Sequence, residues 1–336
     1  MDNSEGRPQI RDVAAAAGVS YQTVSRVLNN SPRVRPETRQ QVLDAMKLLR
    51  YSPNRAAQTL GSGRANAVTV VTSNTTLYGY AGVLQGVEEA GRQLGLAVGV
   101  RVVESENPAD VRQAVDHLSD PSAGSVVVVA FDPAGAAVLR ALPSKVPVVA
   151  ATEAGGLPGS DRSMLFLDER AAAAEATRHL LDLGHRTVHH VAIPSEARAS
   201  ARQSGWREAL SAAGREVPAI VAAGWDVGSA FAATAELTRD PLVTAILCGN
   251  DDTALAVRRA LYEAGRDVPG EVSIVGFDDV PSAAFWTPAL TTVRMDFLGL
   301  GRACVAELAG VPVTRPQVPH LVVRESTAAP AAGAAK

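Results

Sequence analysis

Apolar residues in the first 50 positions recur three and four residues apart, the period of a helix that buries one face. Two such stripes follow each other closely: Ile10, Val13, Ala14 and Ala17, then Val24, Val27 and Leu28. Gly18 ends the first helix because glycine tolerates the left-handed cap conformation, and Ser20 is a suitable N-cap for the second. A three-residue turn between two short helices is typical of a helix-turn-helix.

The second of these helices has a polar face that suits a DNA groove. Tyr21, Gln22, Ser25 and Arg26 lie opposite the apolar stripe, and such side chains bond base edges and phosphates in a major groove. A third helix is predicted to begin at Pro36, since proline fits the first helical position. We therefore predict an all-α DNA-binding head over residues 9–52.

A short segment with residues that can start and end a helix follows the head. Pro53 can open a helix and Gly61 can close it, but about two turns are too few for a helix to be stable alone. We therefore predict a hinge helix and linker over residues 53–63, helical only when another surface packs on it.

From residue 67 the pattern changes to Val- and Ile-rich runs that alternate with helical stretches. The predicted strands are 67–72, 97–103, 125–131, 146–151, 164–167, 188–193, 219–223, 244–248 and 272–276. Continuous apolar runs indicate parallel strands covered by helices on both faces. Residues 64–325 are long enough for two doubly wound α/β lobes, and the Ala- and Pro-rich residues 326–336 are predicted to be disordered.

The distribution of charge and the number of cysteines limit the kinds of partner and the cellular compartment that the sequence predicts. The 336 residues carry a net charge of −3, yet residues 1–64 hold ten Lys/Arg against five Asp/Glu. A basic head on an acidic body indicates that only the head meets a polyanion. Two cysteines, a polar N-terminus and no long apolar run predict a cytoplasmic protein without disulfides, signal peptide or membrane span.

Taken together, the motifs resemble those of the lac-repressor (LacI/GalR) family of transcription regulators. The resemblance covers residues 9–325 and rests on the order and spacing of several short stretches. They are Asp12-Val13-Ala14, Ala17-Gly18-Val19-Ser20, Thr23 to Asn29, Tyr51-Ser52-Pro53-Asn54, Asn250-Asp251, Val275 to Asp279, and Leu290-Thr291-Thr292-Val293.

The resemblance implies how the chain meets DNA. It implies base contacts by Tyr21, Gln22 and Arg26. It also implies contacts to the DNA backbone, from Thr23, Ser25, Asn29, Asn54 and Arg55. In the family the hinge helix pairs with its dimer mate in the minor groove, where Ala57 and Leu60 take the matching positions. A solvated polar face remains the alternative for the first helix, and linker packing for Leu60.

The resemblance also implies a body like periplasmic sugar-binding proteins, with lobe 1 at about 64–160 and 293–322 and lobe 2 at about 161–291. A small effector would bind between the lobes. The matching positions are Tyr78, Thr152, Arg202, Trp225, Asn250, Asp278 and Phe297. Thr152 stands near a place where several sugar-binding members carry an acid, which leaves the ligand open between a galactoside-like sugar and a purine.

The alternatives to an effector-released repressor are few. A regulator of the same fold that uses a corepressor or a protein partner stays open, and a transport-type sugar-binding protein conflicts with the helix-turn-helix. We expect no enzyme and no cofactor, because the sequence has no dinucleotide, phosphate-loop or hydrolase motif. We also expect no metal, because His189 and His190 point to opposite faces of a predicted strand. One head binds only a half-site, so a homodimer is expected.

Overall fold

A computed structural model describes residues 8–28, 31, 33–51, 66–153, 159–195 and 200–331. The chain divides at Asn66 into two compact units, residues 1–66 and 67–336. The predicted hinge segment 53–63 lies outside the described residues, as does the end of the predicted tail, 332–336.

The first unit contains the predicted helices around one small apolar core. Their bounds are α1 Ile10–Ala16, α2 Tyr21–Leu28 and α3 Pro36–Leu48. Val13, Val24 and Val42, one from each helix, are fully buried. Gly18 has a φ of +64° in the turn, and the Ser20 hydroxyl accepts the Thr23 N–H at 3.2 Å. The helix-turn-helix prediction and its two cap residues are confirmed.

The second unit holds two sheets. The first has the order β2-β1-β3-β4-β5 and is parallel throughout, and the second has the order β11-β10-β9-β8-β6-β7. Only the pairing of β10 with β11 is antiparallel among the pairs described. The first-sheet strands are β1 Ala67–Thr72, β2 Ala97–Val102, β3 Ser125–Ala130, β4 Val148–Thr152 and β5 Ser163–Leu165. The second-sheet strands are β6 His189–Ala192, β7 Val221–Ala222, β8 Ala245–Cys248, β9 Ser273–Asp278, β10 Thr291–Arg294 and β11 His320–Val322.

Helices cover these sheets, as the continuous apolar runs predicted. They are α4 Tyr78–Gln93, α5 Pro108–Leu118, α6 Pro133–Ala141, α7 Glu169–Asp182, α8 Ala201–Ala212, α9 Val227–Ala233, α10 Asp251–Glu263 and α11 Phe297–Ala309. Helix α11 packs against α4 of the first lobe at very short range. A Cβ at Gly86 or Gly301 would lie 2.1 Å from Leu298 O or 2.2 Å from Val83 O, so only glycine permits this contact. Among the described residues, no helix is long and apolar enough to span a bilayer.

The chain passes between the lobes three times: after β5, after β10 and before β11. The expected boundaries are corrected by a few residues at each crossing. Strand β5 pairs with β4, so the first lobe extends past residue 160. Strands β10 and β11 pair in the second sheet, so 293–294 and 320–322 belong to the second lobe. All nine predicted strands overlap an observed one, whereas β10 and β11 were not among the predicted strands.

The predicted disorder from residue 326 onward is wrong for the described part of the tail. Ser326 is 2% exposed, and its carbonyl accepts the Ile274 N–H at 2.9 Å. The Ala328 carbonyl lies 3.0 Å from Nε2 of the buried His185, and the Ala328 N–H donates to the Ser273 hydroxyl. Composition alone missed this segment because its hydrogen bonds, from the Ser326 and Thr327 hydroxyls as well as from backbone groups, reach partners that are 35 or more positions away in the sequence.

We predict that a chain ending at Glu325 is less stable than one ending at Ala331. Truncation removes the bonds of Ser326 and Ala328 and leaves His185 and Ser273 without those partners, at about 1 kcal/mol for each bond. The expected loss of roughly 3–5 kcal/mol corresponds to a fall of about 10 °C in Tm. Scanning calorimetry measures this, and equal Tm values for the two chains would contradict it.

Candidate functional site

The outer face of α2 exposes the side chains expected to meet DNA. Tyr21 is 53% exposed, and Gln22 and Arg26 are also exposed, while Val24 and Val27 on the opposite face are buried. Thr23 and Ser25 are half-buried at the edge of this face. The helix therefore presents an amide, a phenol and a guanidinium side by side, which suits a major groove. Asn29, Asn54, Arg55, Ala57 and Leu60 lie outside the described residues.

A cavity lies between the two lobes of the second unit, at the carboxyl ends of their strands. This is where open α/β sheets bind ligands. Six of the seven predicted effector residues line it: Tyr78, Arg202, Trp225, Asn250, Asp278 and Phe297. The crossovers thus bring residues that are up to about 220 positions apart into one site.

Arg202 is the central charge of this cavity. Its side chain is 8% exposed. Its Nη1 donates to the Gly249 carbonyl, and its Nη2 lies 3.2 Å from Oε1 of Glu169 and 3.5 Å from Oδ1 of Asp278. The guanidinium carbon stands 4.3 Å from the centre of the Phe277 ring. These contacts hold the guanidinium plane fixed against the end of β9.

Carboxyl groups outnumber cations around Arg202. Burial raises the pKa of Asp278 well above its usual value, although Arg202 opposes the shift. Burial and the charge of Glu169 raise the pKa of Glu153 to about 7. The Ser195 hydroxyl of the second lobe donates to Oε2 of Glu153 at 2.7 Å. Apart from its 3.5 Å ion pair with Arg202, the buried Asp278 Oδ1 has no hydrogen-bond partner among the described residues, so it can still form a hydrogen bond with a ligand.

Aromatic side chains form the opposite wall of the cavity. Tyr80 contacts Phe131 and Trp225 edge-on at centroid distances of 5.4 and 6.0 Å. Phe297 contacts Phe131 at 6.1 Å and Tyr78 at 6.2 Å. The Tyr80 hydroxyl donates to Asp132 at 2.6 Å, which fixes the ring. Because Trp225 belongs to the second lobe and Tyr80 to the first, this wall crosses the cleft.

The structure does not bring Thr152 into the site, and the expectation for this residue is corrected. Its hydroxyl is buried without a hydrogen-bond partner among the described residues, and the next residue, Glu153, lines the cavity instead. Neighbouring residues at a strand end point to opposite faces, so a shift of one position decides which side chain is available. Glu153 therefore supplies a carboxyl group to the cavity one position after the residue that was expected there.

Glu169, Phe131 and Ile193 also line the cavity, and none of them was predicted from the sequence. Glu169 lies in the first turn of α7, and Phe131 and Ile193 each follow directly after a strand. Position at a strand's carboxyl end was a usable signal for the last two. For Glu169 no local pattern was available, because its partner Arg202 is 33 residues away.

Two further predicted residues have structural roles that the geometry makes plain. The Asn250 side chain accepts the Thr253 N–H at 2.8 Å and so caps α10 as well as lining the cavity. His190 is buried with Nδ1 2.9 Å from the Leu247 carbonyl. Within the described ranges, no group of three or more His, Cys, Asp or Glu side chains could hold a metal ion.

Comparisons with known families match both units of the chain. The profile described as "Bacterial regulatory proteins, lacI family" matches residues 9–54, and that of a periplasmic binding protein-like domain matches residues 177–327. The chain is 33% identical over 300 residues to the lactose operon repressor of Escherichia coli K12, covering 88% of this chain and 82% of the relative. It is 36% identical to the regulator CelR of Thermobifida fusca, covering 95% and 98%.

Solved structures agree over nearly the whole chain. The lac repressor dimer bound to operator and the anti-inducer ONPF has a TM-score of 0.80 at 30% identity, covering 96% of this chain and 100% of that one. The CelR–cellobiose complex has a TM-score of 0.68 at 31% identity, covering 95% and 100%. With its helix-turn-helix head and two-lobed body, the chain belongs to the lacI family of bacterial regulatory proteins and is a DNA-binding transcription regulator.

Proposed function

We propose that this regulator is a homodimeric repressor that a neutral sugar, bound between the lobes, releases from a pseudo-palindromic operator. The observation that carries the proposal is the cavity in which Arg202, Asn250 and Asp278 face an aromatic wall. The relatives support it, because one is a lac repressor bound to operator and another is CelR in complex with cellobiose. The role is regulatory and not enzymatic, and its place is the cytoplasm, with the chromosome.

The balance of charge in the cavity favours a neutral ligand. Glu153, Glu169 and Asp278 face the single guanidinium of Arg202 among the described lining residues. Carboxyl groups exchange hydrogen bonds with hydroxyl groups in either protonation state, whereas the guanidinium of Arg202 is already paired with Glu169 and Asp278 and leaves no free cation among the described lining residues for a phosphate or carboxylate on the ligand. Trp225 and Phe297 offer apolar surface to the C–H face of a sugar ring. A galactoside is the first candidate, and a disaccharide such as cellobiose is the second.

For the head, we propose that Tyr21, Gln22 and Arg26 contact bases and that Thr23 and Ser25 contact phosphates. The exposed face of α2 supports this assignment. For Asn29, Asn54, Arg55, Ala57 and Leu60 the assignment rests on sequence position alone.

For the dimer, the second lobe offers exposed apolar side chains for a partner to cover. Leu255, Tyr262 and Phe285 are 41%, 73% and 86% exposed. Exposed apolar side chains of this size commonly mark an interface.

We predict that Arg26→Ala weakens sequence-specific DNA binding while leaving nonspecific binding nearly unchanged. Arg can make a bidentate contact to guanine, which is worth about 1–3 kcal/mol for each half-site. The affinity for a site selected from a random DNA library should fall by about tenfold or more at fixed salt, measured by gel shift. Arg92→Ala, on the exposed surface of α4, is the charge-matched control. An equal loss on selected and random DNA would contradict base contact by Arg26.

We predict that one of the neutral sugars galactose, lactose and cellobiose raises Tm, and that Asp278→Asn abolishes the rise. A ligand at about 100 times its Kd adds roughly 2.7 kcal/mol of stability. Glucose 6-phosphate should give no shift, because the guanidinium of Arg202 is already paired with Glu169 and Asp278 and is not free to hold a phosphate. Asp116→Asn, on the exposed side of α5, is the control. A shift with hypoxanthine and with none of the sugars would favour a purine corepressor.

We predict that Glu153→Gln stabilises the protein at pH 8 and not at pH 4. The folded-state pKa of Glu153 is about 7, above its ordinary value of 4.5. The carboxyl group therefore contributes its full stability below pH 4.5 and loses it as the pH rises through 7. Since Glu153 keeps some contact with solvent, the gain in the variant at pH 8 should be about 2 kcal/mol, below the full linkage value.

Thermal scans of the wild type, Glu153→Gln and the exposed control Glu175→Gln at the two pH values test this expectation. The Tm difference between Glu153→Gln and the wild type should grow with pH, while that of Glu175→Gln should stay flat. A Tm difference that is the same at both pH values would show that Glu153 does not titrate as described.

A further inference from the structure

Two pairs of consecutive residues connect the cavity with the crossovers between the lobes. In the pairs Asn250-Asp251 and Asp278-Asp279, the first residue lines the cavity. The second residue faces away from it and bonds to crossover strands in each case. We propose that Asp251 and Asp279 are positioning residues that hold the cavity residues and two of the three crossovers together as one unit.

Asp279 holds two crossovers with one carboxylate. Its Oδ2 accepts Arg294 Nε at 2.6 Å, and Arg294 is the last residue of β10 before the chain enters the first lobe. Its Oδ1 accepts Arg324 Nη2 at 2.6 Å, just after β11 has returned from the first lobe. Asp279 and the Arg324 side chain are largely buried, so the bond between them is charge-assisted and shielded from water, whereas the Arg294 side chain is 51% exposed and its bond is partly screened.

Asp251 makes the matching connection from the other pair. Its Oδ1 accepts the Thr292 hydroxyl of β10 at 2.5 Å, and its Oδ2 accepts the Val280 N–H at 2.8 Å. The loop after β9 and the strand β10 are thereby fixed to the start of α10. Asp251 is 1% exposed. Both aspartates therefore converge on β10 and on the loop that begins with Asp278.

The backbone at Asp278 and Asp279 is strained. Asp278 and Asp279 have φ angles of +110° and +56°, in a region that side-chain-bearing residues rarely adopt. Consecutive residues in this conformation turn the Asp278 side chain into the cavity and the Asp279 side chain toward the arginines. Such strain persists only when the surroundings over-determine it, and the bonds to Arg294 and Arg324 do so.

The bonds of the two aspartates define where the two lobes can rotate relative to each other, which we call the pivot. Because β10, β11, Arg294 and Arg324 are all held on the second-lobe side, rotation of the lobes must occur beyond Arg294, at Met295 and Asp296, and before β11. A ligand that moves Asp278 then moves Asp279 and both arginines with it. This step rests on the proposed effector function, whereas the fixed pivot belongs to the protein without ligand.

The test measures the distance between the lobes in the full-length protein. Spin labels at Asp116→Cys in the first lobe and Arg215→Cys in the second report it, because both positions are exposed and both native cysteines are buried. Labelled chains are diluted with unlabelled chain so that only distances within one subunit are recorded. Asp279→Asn should broaden the distance distribution by about twofold, as expected for a hinge that has lost a restraint.

Two further variants keep the test decisive. Arg324→Gln removes one of the two arginines and should broaden the distance distribution less than Asp279→Asn does. If Asp279→Asn folds poorly, Arg324→Gln takes its place in the test. Asp226→Asn is the matched control. Asp226 caps α9 of the same lobe by accepting the Ser229 N–H at 2.8 Å, and it makes no hydrogen bond to a crossover among the described residues. It should lower Tm slightly and leave the distribution unchanged. A lower Tm with an unchanged distribution in both Asp279→Asn and Arg324→Gln would overturn the proposal.

A second measurement separates this inference from the proposed function. Galactose, lactose and cellobiose are titrated into Asp279→Asn with and without selected operator DNA. Sugar affinity should fall by about threefold, because Asp278 loses part of its backbone support, while the factor by which sugar weakens operator binding should fall further, by about tenfold. If none of the sugars binds the wild type but the distribution still broadens, the proposed effector fails and the pivot stands. If sugar affinity and operator release fall by the same factor, the positioning role is contradicted.

Discussion

The buried guanidinium of Arg202 is the charge on which the arrangement of the second lobe depends. A buried ion is costly unless it is paired and hydrogen-bonded, and Arg202 meets this condition through groups from separate parts of the chain. Glu169 comes from the first turn of α7, the Gly249 carbonyl from the end of β8, and Asp278 from the end of β9. Removal of Arg202 would leave Glu169 and Asp278 facing each other without a cation.

The same condition explains why the cavity contains a carboxyl group whose hydrogen bonding is incomplete. Burial raises the pKa of Glu153 and of Asp278, the one guanidinium of Arg202 does not offset this, and Oδ1 of Asp278 has no hydrogen-bond partner among the described residues. The lobe is thus stable enough to fold around Arg202 but incomplete without hydroxyl donors. A ligand that supplies those donors gains energy that the protein alone cannot recover, and this favours binding between the lobes.

What the sequence could predict depended on how far apart the interacting residues are. The head was predictable because its evidence is local: the stripe at Val24, Val27 and Leu28, the turn at Gly18 and the cap at Ser20 all lie within a dozen residues. The strands of the body were predictable for the same reason. Thr152 was favoured over Glu153 because the side of a strand's last residue depends on pleat and twist, which the sequence does not state. The tail at Ser326 was missed because its hydroxyl and backbone groups bond to Thr291 and Ile274, which are 35 and 52 positions away.

The residues that join these parts have partners that are far away in the sequence. Asp279 bonds to Arg294 and Arg324, which are 15 and 45 positions away, and Asp251 bonds to Thr292, 41 positions away. The sequence shows only that Asp251 and Asp279 each follow a residue of the cavity. In the fold, each adjacent pair points its two side chains in opposite directions, one to the ligand site and one to the crossovers. A single peptide unit therefore separates the group that contacts a ligand from the group that holds the hinge. Over so short a path, a displacement of the first reaches the second without a chain of packed side chains between them.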